Sequence, residues 1–216
     1  MTGFEGPQFD RTGAGRTGVD PTWGRKVALR DQLLTTRRRL GLATVSDRAR
    51  QLPGLLLDEP EVRRAALVAA YVSIGHEPGT GPLIDALRAA GKRVILPLLL
   101  PDNDLDWAEY TGPDALTSGR LGLHEPTAPP LGPEAIATAD LVLVPGLAVD
   151  RRGHRLGRGG GSYDRALPRA TGTIWCVLNA DEVLDEVPYA DHDHRVEGAA
   201  TEGGLIRFRS RRLRLG

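Results

Sequence analysis

The chain has one cysteine, no excess of either charge and no long apolar run. Its lone thiol, Cys176, cannot form an intrachain disulfide, which fits a reducing compartment, so we expect a cytoplasmic protein. Lysine plus arginine and aspartate plus glutamate number 28 each, so no net basic field favours nucleic acid or an anionic membrane. No stretch has the length of apolar sequence that a membrane span needs.

What is present is typical of an ordinary globular protein, with 40% apolar and 26% charged residues among 216. We expect one α/β domain over residues 23–210, acting as a monomer. Residues 1–22 are rich in glycine, threonine and arginine and lack the apolar segment of a secretory signal, so they predict a disordered tail. Residues 211–216 predict a solvated basic tail.

The hydrophobic pattern predicts alternating helices and strands. Helices are expected at residues 26–40, 46–57, 60–64, 83–90 and 163–169, with Ser46 placed to cap the second and Pro53 as a possible break in it. Nearly continuous apolar runs predict buried strands at residues 67–74 and 141–144. Further strands are expected at residues 93–98, 173–178 and 205–209, and residues 105–110 could form a short strand outside the main alternation. This alternation predicts a three-layer, doubly wound fold with a mostly parallel sheet and helices on both faces.

The residues with chemical potential follow predicted strands, and ligands of such sheets bind outside the carboxyl ends of the strands. Glu77 comes just after strand 67–74, where its carboxylate could accept hydrogen bonds from amino groups of a ligand. The alternative is that Glu77 is an acidic residue preceding helix 83–90.

The strongest signal is the glycine-rich loop at residues 155–164, which follows strand 141–144. Glycines let backbone amides approach an anion, the arginines add charge-assisted contacts, and a helix begins directly afterwards. The loop is not a Walker A motif, because no Gly-Lys-Ser/Thr closes it. It is not the dinucleotide fingerprint either, since Ser162 stands at the third glycine position. The pattern predicts a polyphosphate cradle, with a flexible surface loop as the alternative.

Basic residues Lys26, Arg30 and Arg37 share one face of the first helix. Taken alone, such a stripe is typical of a solvated face, and it bears on function only if the helix crosses the phosphate site. Residues 191–194 read Asp-His-Asp-His, but sequence neighbours point different ways, so one carboxylate helping to hold Mg²⁺ is favoured over zinc. A Gly-x-Ser-x-Gly elbow is lacking, and Cys176 lies mid-strand, which argues against a nucleophilic hydrolase.

Four blocks in order resemble the 5-formyltetrahydrofolate cyclo-ligase (methenyltetrahydrofolate synthetase) family over about residues 25–208. They are Lys26-Val-Ala-Leu-Arg30, the strand end Tyr71-Val-Ser-Ile-Gly-His-Glu77, the loop from Pro145 through Asp150 to Asp164, and the late segment around Asp193. The loop is the most specific of the four. Where the family usually carries two aromatics before the last aspartate of the loop, this chain has Ser162 and Tyr163.

The resemblance implies ATP-dependent cyclisation of 5-formyltetrahydrofolate, a reduced folate, to 5,10-methenyltetrahydrofolate, with ADP and phosphate released. It implies ATP as cosubstrate, Mg²⁺ as cofactor, and residues that bind the folate, the metal and ATP. Val72 and Glu77 are expected to bind the folate, and Asp164 and Asp193 the metal. The expected ATP-binding residues are Lys26, Arg30, Arg155, Leu156, Gly157, Arg158, Gly159, Gly160, Gly161, Ser162 and Tyr163, of which Lys26, Arg158 and Tyr163 are also expected to be catalytic.

Two other function classes remain open on the residues alone, because a fold does not determine function. One is a non-catalytic nucleotide-binding regulatory module. The other is a sugar-phosphate isomerase or a CoA-transferase-like enzyme, which would need no ATP.

Overall fold

The computed structural model of the chain describes residues 21–191 and 193–208, so the tails predicted at 1–22 and 211–216 lie almost wholly outside the described residues. Its helices are α1 (Pro21–Arg39), α2 (Leu42–Leu56), α3 (Pro60–Arg64), α4 (Gly81–Ala89) and α5 (Ser162–Ala166). Its strands are β1 (Leu67–Ala69), β2 (Arg93–Leu99), β3 (Leu105–Glu109), β4 (Leu116–Ser118), β5 (His124–Pro126), β6 (Leu141–Pro145), β7 (Ala148–Asp150), β8 (Arg155–Leu156), β9 (Thr173–Val177), β10 (Val183–Leu184), β11 (Gly198–Thr201) and β12 (Gly204–Arg207). No helix in this part of the chain is long and apolar enough to cross a membrane.

Seven strands form the central sheet in the order β12-β11-β9-β6-β1-β2-β3. The five inner strands pair in parallel, and the two edge strands β3 and β12 are antiparallel to their neighbours. From β1 the chain moves to β2 on one side and later to β6 on the other, so a topological switch point lies between β1 and β6. Ligands of open α/β sheets bind outside the carboxyl ends of the strands at such a point.

Both faces of the sheet are covered, which confirms the three-layer α/β prediction. Along β1, Val68 faces a core formed with α2, α3 and α4, whereas Ala69 faces a core formed with α5 and the short 3-10 helices. The same alternation holds in β6, where Leu143 belongs to the first core and Val142 to the second. Burial on both faces explains why these strands read as continuous apolar runs.

Helix α1 packs on a second, small sheet instead of the central one. Strands β10, β7 and β8 form this sheet, and Leu33 of α1 packs with Leu147, Leu156 and Val187 around it. Strand β8 of this sheet is the first part of the glycine-rich loop, residues 155–156. This packing brings the first turns of α1 beside that loop.

The structure differs from the predicted elements at β1, at α2 and at β11. The strand expected at 67–74 ends at Ala69. Beyond it, the Tyr71 carbonyl accepts a hydrogen bond from the Thr80 hydroxyl at 2.5 Å, so it pairs with a side chain instead of a neighbouring strand. Helix α2 begins at Leu42, so the Ser46 cap was wrong: Ser46 lies inside the helix, and Gly41 precedes the first helical residue. The helix also continues through Pro53. Strand β11 was not predicted, since Gly-Ala-Ala-Thr carries little strand preference.

Candidate active site

Two cavities adjoin the glycine-rich loop, one of about 270 Å³ and one of about 470 Å³. We call them the first and the second cavity. Gly157, Gly159 and Gly161 line both, as do Arg155 and Asp164, so the loop is the wall between them. The first cavity lies at the switch point, because its lining includes the residues that follow β1 and β6.

The first cavity has mostly apolar walls and one buried carboxylate. Val72 lines it, and Glu77 is only 7% exposed. Glu77 Oε2 accepts the Ile74 N–H at 2.9 Å, and Glu77 Oε1 lies 3.4 Å from Arg158 Nη1. Helix α4 begins only at Gly81, and the Glu77 carboxylate faces the cavity, so the alternative of an acidic residue serving that helix is wrong.

Two tyrosine hydroxyls in the first cavity are buried without a hydrogen-bond partner among the described residues. They belong to Tyr71, after β1, and Tyr163, in α5. Burial raises the pKa of both phenols, so each remains a protonated donor at neutral pH. Buried donors without partners are rare in folded proteins, and a ligand in this cavity would satisfy them.

The second cavity gathers cations and carboxylates. Lys26 Nζ lies 2.5 Å from Asp193 Oδ2, and Arg155 Nη2 donates to Asp164 Oδ1 at 2.7 Å. Arg30 Nε donates to the Gly157 carbonyl at 2.9 Å, which ties α1 to the loop. Lys26 is 8% exposed, so this part of the basic stripe is not a solvated face.

Arg37, the third member of the stripe, lines neither cavity. Its guanidinium forms a buried ion pair with Glu182, with bonds of 2.5 and 2.7 Å, and donates to the Gly146 carbonyl at 2.6 Å. Gly146 lines the first cavity. Arg37 therefore holds the backbone at Gly146 without lining a cavity itself. No local sequence pattern indicates its pairing with Glu182.

The backbone of the loop explains its glycines. Gly159 has φ +101° and Gly161 has φ +74°, a region that side chains with a Cβ rarely adopt. At Gly157 an added Cβ would lie 2.9 Å from Arg155 Nη1. Substitution would therefore strain the wall between the cavities.

The remaining loop residues divide between the cavities. Leu156 lines the second cavity, whereas Gly160, Ser162 and Tyr163 line the first. Arg158 also lines the first cavity, with a side chain that is 49% exposed. The expected ATP-binding residues thus come from the loop and from α1, which supplies Lys26 and Arg30, and they line both cavities.

Sequence reasoning missed two parts of the lining. Trp23, which is 60% exposed, lies at the second cavity, and nothing in the glycine-rich first 22 residues indicated a helix beginning beside it. Leu121 and Leu123, between β4 and β5, line the first cavity. These two short strands have too little periodicity to be predicted.

The carboxylates fit a magnesium ion that is shared with phosphates. Within residues 21–191 and 193–208 there is no group of three or more His, Cys, Asp or Glu side chains able to hold a metal alone. Asp164 and Asp193 both line the second cavity, where Asp164 pairs with Arg155 and Asp193 with Lys26. Mg²⁺ commonly takes one or two carboxylates and completes its shell with substrate phosphates and water, which this donor set allows.

Comparison with known proteins gives a consistent result. Over 192 residues the chain is 43% identical to a 5-formyltetrahydrofolate cyclo-ligase of Mycolicibacterium smegmatis, covering 85% of this chain and 97% of that protein. It is 36% identical over 133 residues to the Escherichia coli cyclo-ligase, covering 61% of this chain and 73% of that protein. The solved structure of the Aquifex aeolicus 5,10-methenyltetrahydrofolate synthetase superposes with a TM-score of 0.75 at 30% identity, over 87% of this chain and 94% of that one. Residues 23–202 also match the sequence pattern of the 5-formyltetrahydrofolate cyclo-ligase family, so the chain belongs to that family.

Proposed function

We propose that the chain converts 5-formyltetrahydrofolate and ATP to 5,10-methenyltetrahydrofolate, ADP and phosphate. Family membership supports the reaction. The observation that carries the assignment of the site is the pair of adjoining cavities with the glycine-rich loop as their common wall. The first, mostly apolar and with one carboxylate, suits a reduced folate, and the second, rich in cations, suits a triphosphate.

In the first step the formyl oxygen attacks the γ-phosphorus of ATP. A bond forms between that oxygen and phosphorus, the bond to the bridging oxygen breaks, and ADP leaves with the electron pair. Such a transfer needs alignment and charge neutralisation more than a covalent catalyst. Lys26, Arg30 and Arg155 supply positive charge on the second-cavity side of the wall, and Arg158 supplies it on the first-cavity side, where the formyl group lies.

In the second step the neighbouring folate nitrogen adds to the activated formyl carbon. The carbon–oxygen bond then breaks, phosphate leaves with that oxygen, and the nitrogen loses its proton to phosphate or solvent. Val72 and Glu77 hold the folate, with the Glu77 carboxylate accepting hydrogen bonds from the donor edge of the pterin. The buried hydroxyl of Tyr163 donates to the folate and holds it against the loop.

Asp164 and Asp193 are the residues that would hold Mg²⁺, together with phosphate oxygens in the second cavity. When bound, the ion neutralises charge on the triphosphate. Trp23 offers an aromatic face for the adenine at the same cavity.

The chain acts as a monomer in the cytoplasm in this proposal. The residues assigned to both ligands come from one chain, so no second copy is needed to complete the site. Burial raises the pKa of the Cys176 thiol to about 12, so this group is not a nucleophile at neutral pH.

A heavy-oxygen label tests the proposed route. If the formyl oxygen is phosphorylated, 5-formyltetrahydrofolate labelled at that oxygen delivers one labelled oxygen to each inorganic phosphate released. Mass analysis of the phosphate gives the result, and a parallel reaction in labelled water with unlabelled folate serves as the control. Phosphate that takes its new oxygen from water would contradict the proposal.

A further inference from the structure

A buried cluster lies outside both cavities and has no part in the proposed chemistry. His154 and Asp150 are 2% and 1% exposed, with His154 Nδ1 2.8 Å from Asp150 Oδ2. Burial alone would raise the pKa of Asp150, but the hydrogen bonds from His154 and from the Arg152 N–H together hold that pKa below its ordinary value. Tyr189 stacks on the His154 ring, with 3.7 Å between centroids and 5° between planes.

The cluster ties down the chain segment that carries Asp193, here defined as residues 187–191 and 193–196. At one end, the Val187 N–H donates to Asp150 Oδ2 at 3.4 Å. At the other end, the Val196 N–H donates to the Gly153 carbonyl at 2.9 Å. Between them the Tyr189 ring covers His154. The described residues of the Asp193 segment form no helix or strand, so these contacts help to hold it, together with the buried side chains of Val187 and Val196.

A short path leads from Tyr189 to the second cavity. The next residue, Ala190, donates its N–H to Asp193 Oδ2 at 2.7 Å and accepts the Asp193 N–H at 3.0 Å. The same Asp193 oxygen lies 2.5 Å from Lys26 Nζ. Ala190, Asp193 and Lys26 all line the second cavity. A displacement of Tyr189 therefore reaches the cavity through one backbone turn.

We propose that Asp150, His154 and Tyr189 act as positioning residues, a clamp that holds Asp193 and Lys26 in place for the nucleotide. This inference rests on the proposed nucleotide role of the second cavity. The clamp touches neither ligand, and the first cavity includes none of its members. Loss of the clamp therefore weakens ATP binding and leaves folate binding unchanged.

Tyr189 is the member to vary, because it is 44% exposed and its truncation leaves no large void in a core. Tyr189→Ala is expected to raise the ATP dissociation constant and the KM for ATP about tenfold, the scale of coupling between contacting residues. The KM for 5-formyltetrahydrofolate and the melting temperature should stay near wild type. Tyr189→Phe keeps the stacked ring and should restore wild-type ATP binding. Equal increases in both KM values, or no difference between the Ala and Phe variants, would overturn the clamp.

Asp193→Ala separates failure of the clamp from failure of the proposed site. We expect it to weaken ATP binding by itself, and Tyr189→Ala to add nothing further in that background, since Tyr189 acts through Asp193. If Asp193→Ala binds ATP as wild type does, the nucleotide role of the second cavity is wrong and the clamp falls with it. If Asp193→Ala weakens ATP binding but Tyr189→Ala does not, the clamp alone is wrong.

Discussion

Glu77 and Arg158 reach the first cavity from different elements and meet there at 3.4 Å. Glu77 is buried, whereas the Arg158 side chain is 49% exposed, so their ion pair contributes little to stability. A folate that donates hydrogen bonds to Glu77 would compete with Arg158 for the carboxylate. Arg158 would then be released toward the phosphoryl group at the wall between the cavities.

Glu77→Gln is expected to impair folate binding selectively. The amide loses the charge that strengthens hydrogen bonds from a pterin, so the KM for 5-formyltetrahydrofolate should rise roughly tenfold or more. Steady-state kinetics with each substrate varied in turn measures this. Glu109→Gln, in a surface pair with Arg93, is the matched control and should behave as wild type. Equal loss of affinity for ATP and folate would contradict the assignment of Glu77.

Arg158→Ala is expected to lower kcat about a hundredfold, with a smaller change in the KM for ATP, because the guanidinium lies on the first-cavity side of the wall. Arg158→Lys, which keeps the charge, should recover part of the rate. Single-turnover phosphate release measures the effect on chemistry. A variant with normal kcat and a raised KM for ATP would instead make Arg158 a ground-state nucleotide ligand.

Helix α1 is one secondary-structure element that is linked to both cavities. Lys26, near the beginning of the helix, lines the second cavity. Arg37, in its last turn, donates to the carbonyl of Gly146, which lines the first cavity. The helix also packs on the small sheet through Leu33. A shift of α1 would therefore be expected to alter both cavities.

Removal of Arg37 should destabilise the whole chain. Arg37→Met leaves the Glu182 carboxylate buried without its cation, at an expected cost of about 3–5 kcal/mol in the free energy of unfolding. Arg37→Met combined with Glu182→Gln should recover much of that loss, and exposed Arg38→Met is the control. Denaturant unfolding measures all three. A double variant as unstable as Arg37→Met alone would mean that the loss does not come from an unpaired charge.

Across the whole molecule, the inner strands β1, β2, β6 and β9 were predictable because burial on both faces leaves an apolar run such as residues 141–144, whereas the inner strand β11 was not. The meeting of Glu77 with the glycine-rich loop was predictable too, since carboxyl ends of parallel strands share one edge of the sheet. The docking of α1 was not, because it packs on strands as short as Arg155–Leu156. Nor could the sequence predict which cavity each loop residue lines, because the irregular backbone after β8 sets the direction of Arg158.

The most direct measurement is absorbance in the 5,10-methenyltetrahydrofolate band, with the purified chain, Mg²⁺ and 5-formyltetrahydrofolate, with and without ATP. The adjoining cavities and the family membership predict a rise that requires ATP and is matched by ADP formed. A folded protein that binds ATP but produces no methenyl product would contradict the account. A rise of equal rate without ATP would contradict it as well.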